Sequence, residues 1–420
     1  MPHVTSRAVV FLERAGHRRD AAWAKPFFHV DVVEAVGGSG LFKASHHERR
    51  KMWSNKSELE SELRKAGLGE WATKLADAAR QCVILLPGPT EQGAAAPVGA
   101  SRLGGEPDLP PDVDWPTRPP LRRERGDRQS MPARVLFGAS HWLHRFRRSP
   151  AWARASQAWE REQQAQRQRR ERAWPLSFVA QIDFADLHAV HALHGFPPAG
   201  RLLLFCDGVD LPWGAADEQA HARVVFTELP PEGLQRRRQP PEFEAARVAK
   251  LRDEFAFKPR SLRPFAWLQP PPLGSPEFIH LAAEHPRAWA ATEPAGPAYQ
   301  QFWTDLQVRY PQIFGERGAE MIHQVGGFAH AIQDPVEAEC VKFTAEHPRP
   351  KSWWRNDPLM QAATMEHLAR AREWQLVLQI DSDDKAGMQW GDVGRLYLCA
   401  RKGDLAACRF DRCWTIAQCY

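Results

Sequence analysis

A chain of 420 residues, 43% apolar and 25% charged, has room for two or three average domains or for one enlarged by insertions. Its net charge is only +5, and no run of about 18 apolar residues occurs, which excludes a membrane-spanning helix. Seven cysteines without a C-x-x-C pair argue against a disulfide framework or a zinc ribbon; since Met1 to Arg14 also lack a secretory layout, we expect a cytoplasmic protein with buried free thiols and no cofactor.

Residues 1–56 read as an N-terminal extension with two β-prone stretches, Ala8–Leu12 and Phe27–Val33. Gly37-Gly38-Ser39-Gly40 lacks the Gly-Lys-Ser/Thr ending of a phosphate loop and reads as a flexible turn. From Ser57, with Glu60 completing a capping box, apolar spacing predicts two short helices (Leu59, Leu63, Leu68 and Trp71, then Leu75, Ala78 and Ala79) and a strand at Val83–Leu86.

The stretch 117–173 departs sharply in composition. Between Arg118 and Arg172 there are fifteen Arg, no Lys and five acids, a local charge of +10 that leaves the rest of the chain acidic. Ser149–Arg172 reads as a helix with Ser149 as cap and Pro150 in its first turn; Trp152 and Trp159, seven apart, share a stripe.

Strands are then expected at Leu176–Ile182, Arg201–Cys206 and Ala222–Thr227. A Pro- and Arg-rich connection follows over 230–274, with a helical piece at Glu242–Phe255. Helices at Pro276–Glu284, Ala298–Arg309 and Leu359–Glu373 precede three more strands, Leu376–Ile380, Leu396–Cys399 and Cys413–Cys419.

These strands carry a motif set that occurs twice in one order. Gly104-Gly105, Gln181-Ile182-Asp183 and Gly200-Arg201-Leu202 recur as Gly326-Gly327, Gln379-Ile380-Asp381 and Gly394-Arg395-Leu396, at offsets of 222, 198 and 194 residues. The expectation is an α+β fold built from internally duplicated antiparallel β units related by a pseudo-two-fold, with helices between and around them. The glycines read as backbone devices, together with Trp390-Gly391 as structural positions.

Chemistry is sparsely signalled. Asp381, Asp383, Asp384 and Asp392 form the densest acidic cluster; they could ligate a hard cation, or they could be a strand-to-turn transition bonding its own backbone. His188, His191 and His194 recur every third residue on an expected helix, without the carboxylate that completes a metal motif. No G-x-S-x-G elbow, Walker loop or G-x-G-x-x-G fingerprint occurs. The arginine-rich stretch offers Arg145, Arg147, Arg148, Trp152, Trp159, Arg167, Arg169 and Arg170 as a surface for an acidic protein, or for nucleic acid gripped through phosphates and bases.

The run Gly99 to Pro110 with Trp115-Pro116, then Pro175 to Asp183, His323 to Phe328 with Ile332-Gln333, Leu378 to Asp383, Trp390-Gly391-Asp392 and Gln418-Cys419-Tyr420 resembles the bacterial YwqG-like family over residues 57–420, with 117–173 as an unusual insertion. The resemblance implies an α+β domain with duplicated β units and carries over no catalytic residue. It also implies a setting beside secreted bacterial toxins. The expected function is therefore a non-catalytic protein-binding domain, specifically an immunity protein that neutralises a toxin. The alternatives are a metal-dependent enzyme or ligand-binding domain on Asp381, Asp383 and Asp392, and nucleic-acid binding through the insertion.

Overall fold

Short runs rich in valine, leucine and aromatic residues make the long strands, several of them buried on both faces, and most strands join one sheet. The computed structural model describes residues 52–90, 96–121, 157, 160–161, 164–248, 255–289, 293–314, 321–344 and 364–420. The stretches Ala8–Leu12 and Phe27–Val33, the Gly37 turn, and Arg145, Arg147, Arg148, Trp152 and Trp159 lie outside these residues.

The strands are β1 (Arg80–Thr90), β2 (Arg102–Leu103), β3 (Asp108–Leu109), β4 (Thr117–Arg118), β5 (Trp174–Pro175), β6 (Ser177–Asp183), β7 (Arg201–Cys206), β8 (Ala222–Thr227), β9 (Gln235–Arg236), β10 (Arg260–Gln269), β11 (Gln324–Gly326), β12 (Trp374–Asp381), β13 (Arg395–Arg401) and β14 (Trp414–Gln418). Ten form a single antiparallel sheet in the order β14-β13-β12-β11-β1-β10-β2-β6-β7-β8. β3 pairs with β9, and β4 with β5, as two short separate ladders. The chain thus mixes helices with one large antiparallel sheet.

That order reads the same outward from the β1–β10 pair in both directions. On one side lie β2, β6, β7 and β8; on the other lie β11, β12, β13 and β14. Arg102 faces Gln181 and Gln324 faces Gln379, the spacing of the sequence motifs. β6 shifts register between Phe178 and Ala180, and β12 between Leu376 and Leu378. β1 precedes the first set in the chain yet pairs with β11 of the second; β10 precedes the second yet pairs with β2 of the first. Each set therefore depends on a strand from the other's side of the chain.

β10 was not expected from sequence, because Pro264 falls inside it. Leu85, opposite Pro264, sends its N–H to His323 O at 2.8 Å on the β11 side. In an antiparallel ladder the two bonding groups of a residue point the same way, so Pro264 faces β1 at a non-bonded position. Its missing N–H costs no β1 ladder bond.

One face of the sheet supplies a shared core. Val83, Leu103, Ile182, Leu202, Val325, Ile380, Leu396 and Ala417, one from each of eight strands, pack into one cluster. The opposite face of the central pair (Cys82, Ile84, Trp267) is covered by Trp53, Leu59, Trp71, Phe278, Tyr299, Phe302 and Phe314 from the helical segments. The free edge of β14 is covered too: Ala417 N donates to Pro212 O at 2.7 Å, and the Gln219 amide bonds both N–H and C=O of Thr415. Phe226 of β8 packs on Phe410 with ring centroids 4.6 Å apart, which brings the two ends of the sheet close to closure.

The helix Pro276–Glu284 has the expected bounds, with Ser275 as its cap. The capping box is displaced from Ser57: the helix Lys56–Lys65 is capped by Asn55, whose side chain accepts from Glu58 N, while Glu58 accepts from Ser54 N. The helix expected to carry three histidines ends at Val190. Among the described residues no helix is long and apolar enough to cross a membrane. All seven cysteines are free thiols, and Cys82, Cys206, Cys340 and Cys399 are buried.

Candidate functional site

A glutamine amide with no exposure must find partners for both its donor and its acceptor. Gln181 and Gln379 are both 0% exposed and solve this in one way. Gln181 Nε2 donates to Ala100 O at 3.0 Å and its Oε1 accepts from Asp108 N at 3.0 Å. Gln379 Nε2 donates to Ile322 O at 2.8 Å and its Oε1 accepts from His330 N at 3.0 Å. Both partners lie one repeat offset apart. The amides tie each Gly-Gly turn to the strand beside it.

The aspartate two residues on meets the arginine of the next strand. Asp183 and Arg201 are opposite in register and 2.7 Å apart; Asp381 and Arg395 repeat this at 2.9 Å. Their backbone N–H groups donate to Ser101 Oγ and His323 Nδ1 respectively. The sequence held this signal in the Gly-Arg-Leu motifs, but showed the two halves of each pair separately. Gly104, Gly105, Gly326 and Gly327 all have positive φ (54, 78, 67 and 71°), which glycine alone adopts without strain. Trp390 is fully buried edge-on to Phe257, and Gly391 (φ 61°) lies where a side chain would press on Cys419 and Trp213.

The two halves diverge where the first has Asp108 and the second His330. Asp108 is gripped by Arg102 at 2.8 Å and Arg236 at 2.9 Å. Burial, with Arg395 adding repulsion, holds the imidazole of His330 down at about 3, so it is neutral in the fold.

The acidic cluster is dispersed by its partners. Asp381 accepts from Arg395 and from Ile322 N. Asp383 bonds Arg260 and also accepts from Lys385 N and Ala386 N, closing a turn on its own backbone. Burial opposes the charge on Asp383, but His323 (3.7 Å away) and Arg260 hold the carboxyl at about 2. Asp384 and Asp392 are exposed. Among the described residues no group of three or more His, Cys, Asp or Glu is placed to hold a metal ion. His188 sits on the helix Phe184–Val190, His191 follows it in extended backbone and His194 lies beyond, so the three share no helix face.

The arginine-rich segment is rooted by a buried triad. β4 and β5 bring its two ends together, with Arg118 opposite Trp174. Arg118 Nε donates to Asp207 at 2.5 Å, and its other nitrogens bond Pro119 O, Arg172 O and Arg169 O. Arg169 takes both oxygens of Asp207 at 2.8 Å and also bonds Asp210. Burial raises the Asp207 pKa, but Arg169 and Arg118 outweigh it and keep the carboxyl below its usual range. Arg169, expected as an exposed contact, is therefore 4% exposed and structural. Arg170 is half exposed at 3.3 Å from Asp210, and Arg167 is exposed. Asp207 has no composition signal of its own, which is why the root was not expected.

A family model described as a domain of unknown function (DUF1963) matches residues 101–419, and the chain belongs to that family. No curated protein matches it.

Proposed function

We propose that this member of the DUF1963 family is a non-catalytic protein-binding domain whose contact element is the arginine-rich segment within 117–173. The observation that carries the reading is the root triad: Arg118 and Asp207 are 0% exposed and Arg169 is 4% exposed. Burying three charges costs desolvation that their attraction offsets only with good geometry, so such a group is a poor source of stability. What it supplies is a fixed attachment for both ends of a cationic segment. A concentrated positive charge on a fixed root accelerates encounter with an acidic protein surface. The motif residues, by contrast, are spent on satisfying one another inside the sheet.

The partner in this reading is a protein with an acidic face. Toxin neutralisation, implied by the YwqG-like resemblance, is its specific form. The internal duplication is part of the same proposal: matching strand order, matching bulges and partners displaced by one repeat offset support two copies of one ancestral unit.

Capture by the immobilised full chain from nuclease-treated extract of its source cells, eluted with a salt gradient, tests the function. The expected result is a discrete acidic protein released as salt rises. Recovery of nucleic acid alone, from extract left untreated, would replace the protein partner.

A further inference from the structure

A second cationic feature lies in the other half of the sheet, independent of the insertion. A cleft of about 640 Å3 opens where the helix Thr364–Ala371 runs into β12 and where β13 runs into the short helix Lys402–Ala406. Its charged lining is Arg372, Glu373, Arg401, Lys402, Asp404 and Arg409, four cations against two carboxylates.

Those cations are of two kinds. Arg401 is positioned by Glu373 at 3.3 Å and by the Trp374 ring at 5.1 Å, and Arg409 by Asp404 at 2.7 Å. For Arg372 and Lys402 no side-chain hydrogen bond or ion pair is found among the described residues. Lys402 is partly covered: burial pulls its pKa below the ordinary lysine range, and Arg80 and Arg372 add repulsion that Glu277 and Glu337 only partly offset. Arg372 and Lys402 thus keep side-chain donors that no carboxylate takes up directly, flanked by two arginines whose guanidinium planes are already held, and an incoming dianion would take those donors. Guanidinium forks match the oxygens of a phosphoryl group, and an ammonium adds a point charge.

We infer that this cleft binds a small organic phosphate monoester, with Arg372 and Lys402 on the phosphoryl oxygens and Arg401 and Arg409 at the rim. Both contact residues are exposed, so their removal leaves the core intact.

Calorimetric titration of the full chain with phenyl phosphate tests the site, using Lys402→Ala, Arg372→Ala and, as an exposed control outside the cleft lining, Arg223→Ala. The expected result is one saturable site, weakened about tenfold or more by either cleft substitution, as loss of a charge-assisted contact implies, and unchanged in the control. Inorganic phosphate should bind the same site more weakly. No saturable heat, or equal weakening in Arg223→Ala, would overturn the proposal. So would binding to anionic vesicles without binding to phenyl phosphate, since that pattern marks a membrane-surface patch. Neither result bears on the insertion, so the protein-partner reading stands or falls separately.

Discussion

Asp381 and Arg395 are each about 4% exposed and bonded to one another, so neither side chain can lose its partner without leaving a charge in a poorly solvated place. Asp381→Ala removes the carboxylate that faces the Arg395 guanidinium and the acceptor of the Ile322 N–H together, while Arg395 keeps its bond to His330 O. We predict a loss of about 3–5 kcal/mol in urea unfolding, the usual cost of breaking a buried pair; a loss under about 1 kcal/mol would mean the pair is not part of the frame. A second residue-scale prediction concerns Glu337, whose carboxyl faces Arg80, with Glu277 and Lys402 nearby. Burial raises it to about 7 from an ordinary value of 4.5, against the pull of Arg80. Below about pH 4.5 both folded and unfolded chains hold this proton; between there and about 7 only the folded chain does, so its contribution to stability falls as pH rises. Glu337→Gln cannot ionise. Relative to the wild type, the variant should gain stability across that window by up to roughly 3 kcal/mol, and a pH-independent difference would refute the assignment.

At the scale of elements, the Gly-Gly turns combine a positive φ with close neighbours. A Cβ on Gly327 would lie 2.3 Å from Gln269 Oε1 and 2.8 Å from Cys82 Cβ, at φ 71°; Gly67 has φ 83° but nothing within 4 Å. Gly67→Ala should cost about 1 kcal/mol from backbone strain alone, and Gly327→Ala at least about twice that, read from urea midpoints. Equal costs would show that the turn after β11 has slack. Such elements were legible to different degrees. β7, β8 and the helix Pro276–Glu284 have the bounds that periodicity predicts, since each is short, apolar and cleanly terminated. β10 was hidden because Pro264 and its arginines resemble a connection, and only the pairing with β1 shows why the proline is tolerated. Periodicity reports one chain segment, whereas a strand's neighbours decide which of its N–H groups are needed.

Over the whole molecule, the repeated motifs made the frame readable before its partners were. Gln181, Gln379 and both Gly-Gly pairs fall where a structural reading places them. Asp383, open to either reading in the sequence, finds Arg260, 123 residues earlier, and Arg169, expected as an exposed contact, finds Asp207, 38 residues on. Ligand types can be read along a chain, but long-range counter-charges cannot. In the proposed reading, a buried frame holds a separable arginine-rich segment by its root. Replacing residues 122–163 by a short Gly-Ser linker, while keeping Arg118, Arg169 and Asp207, tests it in one preparation. The expected result is an unchanged melting midpoint with partner capture lost. Capture at the wild-type level by the folded variant would contradict it.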